Sequence, residues 1–340
     1  MNLLRPSVLF RYFLSLALMV GLLYLAFLDQ DLSEIWSQLR SISLLWISIV
    51  TLLTFTTLLL RSWRWRIMLR SFASNVSIMD GVWALSICYA TNAIIPRSGE
   101  FLRAVSLKWV RSAPISPTLA TVVVERILDV LWLVFCIGTA LLIERKLINQ
   151  AFPILETLSL FALISCIILL LILIVVSIYR STALNYISPI INKMGSRIAN
   201  PVNQILRTFV DGLEALKSPS AHLRITLSSI LLNSGYILII YALFISMGFV
   251  EKYDLRFSSA VVIMAISSLG VVVPTPGGAG SYHLIFSLAL HKIYNVPEPM
   301  ALACATIAHG LATITYLAIG GPALALQWLF YGKKLKGPNN

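Results

Sequence analysis

Long apolar stretches alternate along this chain with short polar breaks, and many of the breaks carry glycine or proline. The pattern predicts full-length apolar helices near 8–28, 42–60, 116–143, 154–178, 226–249 and 299–328. The run 159–178 holds twenty residues without a charge; at 1.5 Å per residue it matches a hydrocarbon core about 30 Å thick. Two further apolar segments, 78–95 and 258–273, are shorter and end at Gly/Pro breaks. Each is followed by a second short helical stretch, 99–112 and 281–294. The fold class predicted is an all-α polytopic membrane protein, a single integral membrane domain over 1–340, with about six full spans and two re-entrant broken-helix hairpins. The hairpins are 78–112 and 258–294.

One segment differs in kind. Across 181–224, Val202, Ile205, Leu206, Phe209, Leu213 and Leu216 recur at three- and four-residue spacing, with Asn203, Arg207, Asp211 and Glu214 between them. That periodicity predicts an amphipathic cytoplasmic helix, lying on the inner membrane surface or packed on the protein's own cytoplasmic face. A short basic tail, 331–340, closes the chain.

Composition agrees with the pattern. Of 340 residues, 58% are hydrophobic and 12% charged, with mean hydropathy +0.87; a soluble domain would have nearer a quarter of its residues charged. The net charge of +12 does not point to nucleic acid, because the Lys and Arg residues gather in particular loops. With the N-terminus cytoplasmic and both broken segments re-entrant, 17 of the 26 Lys/Arg fall inside, six outside and three at membrane depth. This is the bias of a positive-inside membrane protein, with both termini cytoplasmic. Hairpin 78–112 then enters from the cytoplasm and hairpin 258–294 from outside, so span–hairpin–span occurs twice with opposite topology, an inverted repeat of the transporter kind. Arg5 and Arg11 precede the first apolar run and no small-x-small cleavage site follows it, which predicts an uncleaved span. Cys88, Cys136, Cys166 and Cys304 all sit in apolar segments, without metal-type spacing.

The candidate chemistry lies at the breaks. In "NAIIPRSGEFLR" (92–103), Pro96 and Gly99 interrupt the helix beside Arg97, Glu100 and Arg103. A half-helix starting near Ser98 directs free N–H groups at the break, and with Arg97 and Arg103 nearby this forms an anion site. The second tip, "PTPGGAGS", offers Gly277, Gly278 and Gly280 for close backbone approach and Ser281 as a cap or donor. In "VVVERILDVLW", Glu125 falls nine residues into its span if that span begins at Ser116, about 14 Å deep. Glu125 and Asp129 are four apart and share a face, with Arg126 one step round. Ionisable groups at such depth face an interior or an aqueous cavity. Arg97, Arg103, Arg126, Glu100, Glu125 and Asp129 sum to zero, so two readings stand: a structural ion-pair network, or arginines that exchange carboxylates for a substrate phosphate. Ser281 with His283 and His309 does not make a protease, since no oxyanion donors are evident. With no Walker, HExxH or Cys/His metal motif, neither catalytic residues, a metal nor a cofactor is expected.

These segments, "NAIIPRSGEFLRAVSL", "VVVERILDVL" and "VPTPGGAGSYH", resemble three signature segments of the lysylphosphatidylglycerol synthase transmembrane family, the flippase-type membrane domain of bifunctional lysyl-phosphatidylglycerol synthase/flippases. The resemblance covers nearly the whole chain. It implies two inverted re-entrant hairpins and movement of a lipid with a polar head group between leaflets, here of the bacterial inner membrane. Its motif residues fall on Pro96, Gly99, Glu100, Arg103, Glu125, Arg126, Asp129, Pro276, Gly277, Gly278 and Gly280. No synthase-type domain follows in this chain, so aminoacylation is not expected. The leading expectation is a non-enzymatic translocase for a phospholipid or other lipid-linked anionic substrate, with membrane lipids as partners. The alternatives are a non-transporting, lipid-binding partner of a separately encoded lipid synthase or glycosyltransferase, and a lipid head-group transferase.

Overall fold

The computed structural model describes residues 6–154 and 219–331 throughout, and isolated positions between them. Most of the expected span 154–178 and of the amphipathic segment 181–224, and nearly all of the tail 331–340, lie outside the described residues. The described residues are helical, without strands. In chain order the helices are α1 (Pro6–Phe27), α2 (Leu32–Ser41), α3 (Leu44–Leu69), α4 (Ile78–Asn92), α5 (Gly99–Arg111) and α6 (Ile115–Ala151). They continue with α7 (Pro219–Ser246), α8 (Phe249–Tyr253), α9 (Phe257–Val272), α10 (Ser281–Tyr294) and α11 (Glu298–Tyr331).

Four of these, α3, α6, α7 and α11, are long and apolar enough to cross a membrane. A fifth span results if α1 and α2, bent by 91° at their junction, count as one. Leu44, Leu142 and Phe330 are 70% exposed or more, as side chains facing lipid would be. α6 runs past the predicted end at 143 and kinks at Glu144, where the backbone leaves helical geometry. The amphipathic α2 was not among the predicted elements. Its start follows from Asp31, whose carboxylate accepts from the backbone N–H groups of Ser33 and Glu34.

The two short apolar segments form α4 and α9, and the breaks fall where proline and glycine predict them. Each pair folds back on itself at a glycine. A Cβ on Gly99 would fall on the Cys88 carbonyl, so α5 crosses α4 with backbone against backbone. In the second pair a Cβ on Gly270 would lie 2.8 Å from the Ser281 carbonyl and from Tyr282 Cα. Small residues at helix crossings permit this approach, and it maximises dispersion contact where lipid tails provide no hydrophobic drive.

The two bends meet. A Cβ on Gly277, which has φ +59°, would lie 3.3 Å from Ala93 Cα at the end of α4. α1 covers the other side of the second bend: Gly280 (φ +83°) packs on Met19 and Leu22, and Ser15 Oγ donates to the Pro274 carbonyl at 2.7 Å. The larger core cluster joins α7, α9, α10 and α11 through residues such as Phe244, Phe286 and Leu290. A second, built on Leu58, Trp65, Leu85 and Leu107, ties α3 to α4 and α5. It forms the platform for the charged site.

Candidate functional site

Three elements bring charge together inside this apolar body. On α3 the sequence "RSWRWR" puts Arg61, Arg64 and Trp65 at three- and four-residue spacing, hence on one face. α6 presents Glu125 and Asp129 one turn apart, and α5 inserts Arg103. Arg61 Nε lies 2.7 Å from Glu125 Oε1 and Arg103 Nη1 lies 2.9 Å from Glu125 Oε2. Arg64 Nη2 approaches Glu125 Oε1 at 3.6 Å and also bonds Asp129, whose other oxygen is taken by Arg61. Arg126 Nη1 stands 3.6 Å from Asp129 Oδ2. Each carboxylate therefore faces three guanidiniums.

The cluster is graded in depth. The side chains of Arg64, Arg103 and Glu125 are 0% exposed, whereas Asp129 is 26% and Arg126 43% exposed. Aromatic rings hold the buried end: Arg103 sits 4.7 Å over the Trp65 ring, and Trp65 Nε1 donates to Thr121 Oγ1 at 2.9 Å. Tyrosines adjoin Arg61. Arg61 Nη1 is 3.2 Å from the Tyr236 hydroxyl and its guanidinium lies 5.8 Å from the Tyr89 ring centre, while Tyr89 stacks on Tyr316 at 4.5 Å.

Four arginines against two carboxylates leave an excess of positive charge and of donors. Arg64 Nε, Arg103 Nε, Arg103 Nη2 and Arg126 Nε are buried without a hydrogen-bond partner among the described residues. Buried donors are normally satisfied, and guanidinium donors in a fixed fork suit phosphate or carboxylate oxygens. What this arrangement can do chemically is receive an anion.

The structure brings together Arg103, Glu125, Arg126 and Asp129 of the expected site. Glu100 forms no ion pair with them among the described residues; its carboxylate accepts from Asn92 Nδ2 at 3.2 Å. Arg97 is elsewhere. It is exposed at the first bend, in a left-handed conformation (φ +60°), and forms no ion pair among the described residues. The expected open N-terminus of α5 is also occupied, because Asn92 Oδ1 accepts from the Gly99 N–H at 2.8 Å while Asn92 Nδ2 donates to Glu100. Ser281 is spent within its own hairpin, its Oγ lying 2.7 Å from the Gly270 carbonyl and 3.0 Å from Thr275 Oγ1. Gly277 meets the first bend and offers its carbonyl to His309 Nε2 at 3.0 Å, Gly280 meets α1, and Gly278 lies against Val271.

Sequence reasoning missed Arg61 and Arg64, which the charge count assigns to the cytoplasmic loop. The neutral sum of six charges is corrected accordingly: Arg97 and Glu100 are not paired within the set, and two arginines of α3 join it. The three- and four-residue spacing in "RSWRWR", with two tryptophans, was the available signal. The hairpin's open end is tied separately, by Arg111 Nε on Asp80 Oδ2 at 2.7 Å. Burial pushes the Asp80 carboxyl up, but the bonds from Arg111 and Ser77 outweigh it and hold the group below its ordinary range.

In comparison with known proteins, the family described as "Lysylphosphatidylglycerol synthase TM region" matches residues 12–320. No curated protein and no solved structure matches the chain.

Proposed function

The chain belongs to the lysylphosphatidylglycerol synthase TM-region family, and from that premise we propose that it moves an anionic lipid between the leaflets of the bacterial inner membrane. The observation that carries the reading is the buried surplus of guanidinium donors among α3, α5 and α6. In a membrane interior an uncompensated charge costs at least about 2.5 kcal/mol even on lenient scales, so the surplus calls for an anion.

In this reading α4–α5 and α9–α10 are re-entrant hairpins, α3 and α6 flank the first, and α7 and α11 flank the second. The pattern is an inverted repeat, with both termini cytoplasmic. Arg61, Arg64, Arg103 and Arg126 hold the phosphate. Glu125 and Asp129 orient the guanidiniums while the site is empty, so the ion-pair network and the binding site are one device. The glycine-rich second bend rests on the first and acts as the opposing gate. Lipids are the partners, and the protein makes and breaks no covalent bond.

The test is leaflet exchange of head-group-labelled phosphatidylglycerol in proteoliposomes. Arg126→Ala is expected to fold, because its side chain is nearly half exposed, and to lose exchange at least tenfold. Leu128→Ala, two residues further along the same helix, is expected to keep most of it. Equal loss of folded protein in both variants would favour a purely structural network.

A further inference from the structure

We infer that the second bend carries a binding site for a single proton, on His309 of α11 paired with His283 of α10, and that the bound proton holds this bend closed on the first. The statement that such closure gates lipid movement rests on the translocation reading above. The proton site itself rests on the geometry of the two rings.

The rings of His283 and His309 face each other with centres 4.9 Å apart, and each is tied to one end of the glycine turn. His309 Nε2 lies 3.0 Å from the Gly277 carbonyl. A carbonyl only accepts, so this nitrogen carries the hydrogen and Nδ1 of the neutral ring is bare. His283 Nδ1 accepts from the Gly280 N–H at 3.4 Å, so there Nδ1 is bare and Nε2 carries the hydrogen. An incoming proton therefore has two positions, and they are not equal. On His309 Nδ1 it leaves the bond to Gly277 in place and makes it charge-assisted, roughly twice as strong as a neutral one. On His283 Nδ1 it would meet the Gly280 N–H hydrogen to hydrogen, in a residue only 6% exposed, whereas His309 is partly exposed. The proton belongs on His309. Because Gly277 is the residue that rests on Ala93, the strengthened bond acts at the contact between the two bends.

The surroundings limit the pair to one charge. Among the described residues no carboxylate pairs with either ring, whereas His291, further along α10, has Glu298 at 3.5 Å. The titratable neighbour is Tyr282 of α10, its ring 6.4 Å from His283 and 5.7 Å from His309, with Cys304 of α11 near Tyr282. α1 faces the turn with Met19 and Leu22, α9 with Val271 and α4 with Ala93, none of them titratable. On α6, Glu125 and Asp129 are engaged with arginines and Glu144 stands at the kink. Two imidazoliums at this separation, without a counter-charge, repel, so a second proton is refused.

The experiment uses the purified full chain between about pH 4 and 8, a range that spans the ordinary imidazole transition, with three readouts. Carbon-13 NMR follows the four histidines; His→Gln substitution one position at a time assigns each ring, by elimination where a variant does not fold. Hydrogen exchange of 276–284 follows the bend, and proteoliposomes follow labelled phosphatidylglycerol. In the wild type His309 is expected to take a proton in this range while His283 stays neutral. Acid is expected to slow hydrogen exchange of 276–284 by about threefold or more relative to His309→Gln at the same pH, as a strengthened clasp on Gly277 would give; comparison at one pH cancels the intrinsic chemistry of exchange. Lipid exchange is expected to slow with acid to a similar degree in the wild type and in His283→Gln, which keeps an acceptor for Gly280. In His309→Gln, which keeps a donor for Gly277 but takes no proton, acid is expected to have no such effect. Titration of both rings, of His283 alone or of neither would overturn the inference, and so would acid protection of the bend that survives His309→Gln. Acid protection that depends on His309, without any lipid exchange, would overturn translocation and leave the proton site standing. Lipid exchange at one rate across the range would overturn the inference and leave translocation standing.

Discussion

Arg103 and Arg126 show how burial separates two arginines that look alike in the sequence. Arg103 is fully buried between Glu125 and the Trp65 ring, so removing it strands a buried carboxylate. Breaking such a pair costs about 3–5 kcal/mol. Arg103→Ala is therefore expected to lower the yield of monodisperse protein and its melting temperature in detergent, whereas Arg126→Ala leaves both near wild type. An Arg103→Ala protein as stable as wild type would mean that the buried pair contributes little. The sequence makes Arg103, Glu125, Arg126 and Asp129 legible, because ionisable residues beside apolar runs are conspicuous. Arg61 and Arg64 are hidden by their neighbours: with Arg66 and Arg70 they form a basic cluster at the end of a span, the usual mark of a membrane interface. Only the packing of α3 against α6 shows that two of the four point inward.

At the scale of elements, the breaks were legible and the crossings were not. Pro96 and Pro276 with their glycines announce where α4 and α9 stop, since proline removes a donor and glycine admits positive φ. The role of Gly99 depends on a contact with Cys88, eleven residues earlier and across the bend, which no local pattern encodes. Asn92 is equally silent in sequence, although its two amide atoms fasten both Gly99 and Glu100. Gly99→Ala is expected to destabilise by about 1–3 kcal/mol, the range for overpacking a tight contact, and to loosen the first hairpin in hydrogen exchange. Gly138→Ala, where a Cβ meets nothing within 4 Å, is expected to be neutral in the same assay. Equal protection of 92–103 in both variants would contradict the backbone crossing.

The whole molecule couples these parts through the meeting of the two bends at Ala93 and Gly277, with the charged cluster beside the first. The alternation of apolar runs was enough to place α3, α6, α7 and α11, and the described residues show four or five spans. The arrangement across the membrane is the proposed part, and it has a direct check. If α4–α5 is re-entrant, single cysteines at Ser77 and Ser112 react with an impermeant reagent from the same side of the membrane; labelling from opposite sides would make the pair a full crossing. The central claim, that the buried guanidinium surplus serves lipid movement, is tested most directly by the exchange rate of labelled phosphatidylglycerol in proteoliposomes of the wild-type chain against protein-free vesicles. The account expects exchange at least tenfold above the protein-free rate, and exchange at the protein-free rate by folded protein, with and without a proton gradient, would contradict it.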